Sequence, residues 1–219
     1  MDTCKLLKQK LWKHRHVLNY EWDGTIYGGG VIGQRYWEYL KFVDLMELNS
    51  ESVVLELGGG SPITGRCFFG ECLKNFVKKV IVVDPYAPNS RDNNLICMQQ
   101  LLTPESMESL FHEHQITHLA SVSVIEHIPH EELVSLVSAM NRLRFENIVL
   151  SFEFHSVAQF VTDQLTTSTA SKVMDLFTNY HLSAMERSPM GGVTAFTSVE
   201  PVCEKWYPLM LKFERNIDC

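Results

Sequence analysis

The sequence predicts an α/β fold, a doubly wound and mostly parallel sheet flanked by helices. Two observations lead to it. Short apolar runs rich in β-branched residues recur along the 219 residues, and helical patterns separate them. The first run ends in a glycine turn and the second in an acidic residue, as a ligand-binding sheet edge requires.

Composition sets the outer limits. The chain is 45% hydrophobic and 21% charged, enough to build a core. No apolar run approaches the roughly 18 residues of a membrane span, and the N-terminal Met1-Asp2-Thr3-Cys4-Lys5 lacks the apolar stretch of a secretory signal. A cytoplasmic protein is expected. The net charge of −7 disfavours a general affinity for nucleic acid. Six scattered cysteines read as reduced thiols, mostly core filler, because Cys67-x4-Cys72 has no second pair to complete a zinc site.

The organising stretch is Val53-Val54-Leu55-Glu56-Leu57-Gly58-Gly59-Gly60-Ser61-Pro62. Val53–Leu55 is a buried strand, and the glycines allow a turn with positive φ and close approach of a ligand. Ser61 and Pro62 suit the cap and first position of a helix running to about Phe76. Lys79–Val83 is the second strand, ended by Asp84-Pro85. A carboxylate at Asp84 suits a ribose, because it accepts from both hydroxyls. Leu95–Met98 is the third strand, followed by Gln99 and Gln100. Thr103 caps a helix that starts at Pro104 and runs to about His114. His118–Ser123 is the fourth strand, Val124–Pro129 a connecting segment and His130–Leu143 a helix.

The fifth strand is Asn147–Phe152, with Glu153-Phe154-His155 at its end. Residues 156–178 read as a helix with a polar middle. Tyr180–Met185 and Gly192–Val199 read as closing strands joined at Pro189–Gly192. At the other end, residues 3–18 suit an amphipathic helix with a basic face. Tyr20, Trp22 and Tyr27 precede Gly28-Gly29-Gly30, and a helix then runs from Val31 to about Met46.

The loop after the first strand resembles the cofactor motif of class I S-adenosylmethionine-dependent methyltransferases, acidic-x-Gly-x-Gly-x-Gly. Glu56, Gly58 and Gly60 match its first three positions, and Pro62 replaces the last glycine. Glu126-His127 matches a second stretch of that family. The strand aspartate common in the family is absent, with Thr117 or His118 in its place.

The resemblance covers about residues 50–200 and implies a seven-stranded sheet whose last strand is antiparallel, closing in a C-terminal hairpin. It implies a cofactor-binding domain at 50–219 and an N-terminal helical lid or appendage at 1–49. Residues 20–40 are either that lid or, for Tyr36, Trp37 and Leu40, packing on the sheet. The implied cofactor is S-adenosylmethionine, with S-adenosylhomocysteine as product. The residues expected to hold it are Glu56, Gly58, Gly59, Gly60, Asp84, Pro85, Gln99, Gln100 and Ser123, with either glutamine meeting the adenine.

The expected function is methyl transfer to a small-molecule acceptor. No nucleic-acid partner is expected, because no amino-methylating Asn-Pro-Pro-Tyr motif and no basic groove is visible. His127 and His155, after the fourth and fifth strands, are the candidate general bases, since imidazole titrates near neutrality. No metal site is expected: His112 and His114 diverge on a helix, and Pro129 interrupts His127 and His130. Two other readings use the same corner. One is a nicotinamide dinucleotide oxidoreductase, disfavoured by Glu56 and by Ile63 at its third glycine position. The other is a cofactor-fold subunit that binds without catalysing.

Overall fold

The computed structural model describes residues 3–13, 34–61, 65–155, 173–187, 192–195 and 203–216. Nine strands form one sheet: β1 (Val53–Leu57), β2 (Lys79–Val83), β3 (Ser90–Arg91), β4 (Leu95–Met98), β5 (His118–Val122), β6 (Asn147–His155), β7 (Tyr180–Arg187), β8 (Gly192–Ala195) and β9 (Cys203–Arg215). Their order is β3-β4-β2-β1-β5-β6-β9-β7, and β8 pairs with β9. Strands β4, β2, β1, β5 and β6 are parallel, while β9 runs antiparallel between β6 and β7. Without the short β3 and β8, this is the expected mostly parallel seven-stranded sheet with a C-terminal antiparallel pair.

Helices cover both faces, so the parallel strands read as nearly continuous apolar runs. On one face, α1 (Thr3–Lys13), α2 (Gln34–Leu45) and α3 (Phe68–Leu73) share a core with Val54, Val80 and Val82. On the other, α4 (Pro104–His114) and α5 (His130–Arg142) pack with Leu55, Ile81 and Leu119. Tyr36, Trp37 and Tyr39 are buried in the first core, with Tyr39 stacked on Phe69 at 4.5 Å between ring centroids. Residues 20–30, where the sequence suggested a bendable aromatic segment, lie outside the described residues.

Two expectations are corrected. Strands 180–185 and 192–199 were expected to pair with each other; instead β7 and β8 both pair with β9. Strand β9 escaped notice because Pro208 and Lys212 break its alternation. Pro208 sits opposite Glu153, and Lys212 is buried, held by Glu47 at 2.8 Å. The helix expected from Pro62 starts instead at Phe68. Gly65, at φ +66°, turns the chain first, its N–H donating to Ser61 O at 2.8 Å, and Ser61 N donates to Arg66 O at 3.0 Å.

The start of α4 is as read. Thr103 Oγ1 accepts from Ser106 N at 3.2 Å, and Ser106 Oγ accepts from Thr103 N at 2.9 Å, a reciprocal cap. Thr103→Ala is expected to cost about 1 kcal/mol and to lower the melting midpoint by about 2–4 °C, measurable by scanning calorimetry.

Candidate functional site

The carboxyl ends of β1, β2 and β5 meet at the glycine loop. Alternation along β1 sends Val53, Leu55 and Leu57 to one face and Val54 and Glu56 to the other. Glu56 is therefore directed toward α3, behind the loop. A Cβ placed on Gly59 would lie 2.5 Å from Glu56 Oε1, and one on Gly70 of α3 would lie 3.3 Å from Glu56 Oε2. Glu56 is 1% exposed, so its influence on anything in front of the loop is that of a charge behind it.

Gly58 leaves the strand at φ +78°, with its N–H donating to Val83 O at 2.9 Å. A Cβ there would fall inside the Val124 side chain. The glycine is required twice, by its dihedral and by this contact. Gly60 lies against Asp84, where a Cβ would stand 2.6 Å from Oδ1 and 2.7 Å from Ala87 N.

Asp84 follows β2 directly, and its carboxylate accepts from Tyr86 N at 2.5 Å and from the N–H groups of Gly60 and Ala87. Burial pushes its pKa above the ordinary carboxylate range, and these three N–H bonds only partly counter that. The loops beyond are joined: Gln99 N donates to Asn89 Oδ1 at 2.8 Å and Gln99 Nε2 to Pro85 O at 3.3 Å. Gln99 and Pro85 are exposed, and Gln100 is half-buried.

After β5 the chain passes through Ser123, at φ +49°, into a 3₁₀ turn at Ile125–His127. Glu126 is buried and His127 is exposed. The Ser123 hydroxyl donates to Glu38 Oε1 of α2 at 2.8 Å, as does that of Ser151 on β6. His155 ends β6, opposite Trp206, and its side chain lies outside the described residues. Thr117 and His118, at the amino end of β5, are remote from this edge: Thr117 Oγ1 accepts from Val53 N at 2.9 Å.

Loop and turn thus converge from the predicted residues Glu56, Gly58, Gly59, Gly60, Asp84 and Ser123. Sequence reasoning missed Glu38 and Val124. The only signal for Glu38 was one acidic residue among Tyr36, Trp37 and Tyr39. Among the described residues, no group of three or more histidine, cysteine or acidic side chains is arranged to hold a metal.

Neither a protein-family model nor a curated protein matches the chain. Solved structures do. Geranyl diphosphate C-methyltransferase from Streptomyces coelicolor A3(2) aligns at TM-score 0.56 and 8% identity, over 96% of this chain and 98% of that one. A SAM-dependent methyltransferase from Anabaena variabilis aligns at TM-score 0.51 and 12% identity, over 99% and 96%. The MccD protein aligns at TM-score 0.56 and 9% identity, over 83% and 97%.

The chain has the Rossmann-like methyltransferase fold. In that fold the segments after the first, second and fourth parallel strands in chain order, β1, β2 and β5 here, lie together at one edge of the sheet. Here they hold the glycine loop, Asp84 and the Ser123–His127 turn.

Two outcomes are expected. Gly58→Ala destabilises by about 1–2 kcal/mol from its dihedral alone, plus the collision with Val124. Adding Val124→Ala restores the steric part and leaves the dihedral cost, as read from urea midpoints of the two variants. Gly58→Val, bulkier still, is expected to compromise folding rather than binding alone.

Asp84 has a pH signature. Below the ordinary carboxyl value of 3.8, both folded and unfolded chains hold its proton. As pH rises through that value, the unfolded chain releases its proton first, so stability falls until the higher folded value is passed. Asp84→Asn removes this loss. Its melting midpoint is expected above wild type at neutral pH, with the gap closing below about pH 4.

Proposed function

We propose that the chain is an S-adenosylmethionine-dependent methyltransferase acting on a small-molecule acceptor. One observation carries the reading: the glycine loop closes on carboxylates. Glu56 lies behind Gly59 and Asp84 against Gly60, while α3 begins only at Phe68 and has six residues. A dinucleotide pyrophosphate favours N–H groups and a helix dipole directly after the glycines. A ligand with a sulfonium, an ammonium and ribose hydroxyls favours negative charge there. The residues present fit the second kind.

In this reading Asp84 receives the ribose hydroxyls, and the half-exposed Gly58 and Gly59 let the donor approach the backbone. Glu56 contributes favourable charge from behind the loop. Pro85, Gln99 and Gln100 border the adenine, where either glutamine carbonyl can accept from its amino group. S-Adenosylmethionine, when bound, supplies an electrophilic methyl group. The chain's task is then alignment, worth up to roughly 7–11 kcal/mol of the barrier.

In this reading α2 borders the acceptor side, since it brings Glu38 to the end of β5 and to Ser151 of β6. His127, exposed on the turn after β5, in this reading takes a proton from an acceptor hydroxyl. His155 is the second candidate for that role.

Titration calorimetry tests the donor. S-Adenosylhomocysteine is expected to bind the intact chain and nicotinamide dinucleotides are not. Asp84→Ala is expected to weaken binding about 10- to 100-fold by removing hydrogen bonds to a charged acceptor. Binding of a dinucleotide in preference, or undiminished affinity in a folded Asp84→Ala protein, would refute the assignment.

A further inference from the structure

We propose that Glu38 is a positioning residue for the glycine loop, acting through the turn at Ser123 and the side chain of Val124. Glu38 lies on α2 and is fully buried. Its Oε1 accepts from Ser123 Oγ and from Ser151 Oγ, both at 2.8 Å. Ser123 directly follows β5, and Ser151 lies mid-way along the neighbouring parallel strand β6, opposite Val122. Ser123 N also donates to Ser151 O at 2.9 Å and to Ser151 Oγ at 3.2 Å. One side-chain oxygen on a helix therefore ties the end of β5 to the middle of β6.

The tie bears on a strained residue. Ser123 sits at φ +49°, a region that a residue with a Cβ occupies only when its surroundings hold it there. Its backbone and hydroxyl bonds are such surroundings. Val124 comes next, and its side chain occupies the space over Gly58. A relaxed Ser123 would turn Val124 away and leave the glycine loop without its support. Contacts thus run from Glu38 to Ser123, Val124 and Gly58, from α2 to the loop after β1. Glu38 touches no ligand in this scheme, because burial puts it out of reach. The consequence for ligand affinity rests on the methyl-donor reading; the consequence for the loop does not.

The test compares wild type with Glu38→Gln, Glu38→Ala and Ser123→Gly, and each variant again in a Val124→Ala background. Hydrogen exchange follows the Gly58–Gly60 amides without ligand, and calorimetry follows S-adenosylhomocysteine. In Glu38→Ala the loop amides are expected to exchange at least about tenfold faster than wild type, with β2 unchanged, and the dissociation constant to rise at least about tenfold. Glu38→Gln keeps an acceptor of the same shape and is expected to stay within about threefold of wild type in both readouts. In the Val124→Ala background the further effect of Glu38→Ala is expected to shrink below about threefold, since coupled sites are not additive.

Unchanged loop exchange and affinity in folded Glu38→Ala would overturn the proposal. So would an undiminished effect in the Val124→Ala background, or a Glu38→Gln variant as impaired as Glu38→Ala. If Glu38→Ala does not fold, Ser123→Gly decides: it removes the hydroxyl and relieves the dihedral, and wild-type loop exchange in it overturns the proposal. If wild type binds no S-adenosylhomocysteine, the donor reading fails, and the exchange comparison still decides the role of Glu38.

Discussion

The backbone of Gly58 and the side chain of Val124 share a space that one added methyl group would overfill. Much of this sheet edge follows from that contact. β1 and β5 are neighbours, so the chain leaving β1 must pass in front of the chain leaving β5. Only a residue without a Cβ, at positive φ, passes there. The turn then carries Gly59 over Glu56 and Gly60 onto Asp84. On the other side of the contact, Val124 follows Ser123, whose N–H donates to Ser151 and whose hydroxyl donates to Glu38.

Burying carboxyl groups at this edge carries a cost. Asp84 accepts three backbone N–H bonds and still has a raised pKa, so desolvation outweighs its hydrogen bonds. A fold selected for stability alone would place an amide or an apolar residue there. The described buried basic groups, His118 and Lys212, lie toward the amino edge of the parallel strands, near Glu146 and Glu47.

Most of the fold was legible because its central strands are buried on both faces. Val80–Val83 and Leu95–Met98 read as strands because nothing in them needs water, and Thr103-Pro104 marked a helix start through chemistry local to four residues. The failures were non-local. Lys212 is buried between two carboxylates, Glu214 two residues on and Glu47 165 residues away in sequence, and only the first of these is local. The start of α3 at Phe68 was hidden because Ser61-Pro62 is a good local helix signal, overruled by the turn at Gly65, whose N–H donates to Ser61 O while Ser61 N donates to Arg66 O.

At the site, the sequence by itself determined the glycine loop, the acidic residue ending β2 and the turn after β5. These depend on local backbone freedom and on the period of two along a strand. It also determined that Glu56 shares a face with Val54, since alternation admits no other result. Only the tertiary structure decided what each glycine lies against: Val124 for Gly58, Glu56 for Gly59 and Asp84 for Gly60. It also decided that Glu126 is buried while the adjacent His127 is exposed, and that Glu38, 85 residues before Ser123, reaches the end of β5 and the middle of β6. Such contacts join elements far apart in the chain, and no local propensity encodes which side chain a distant strand end will meet.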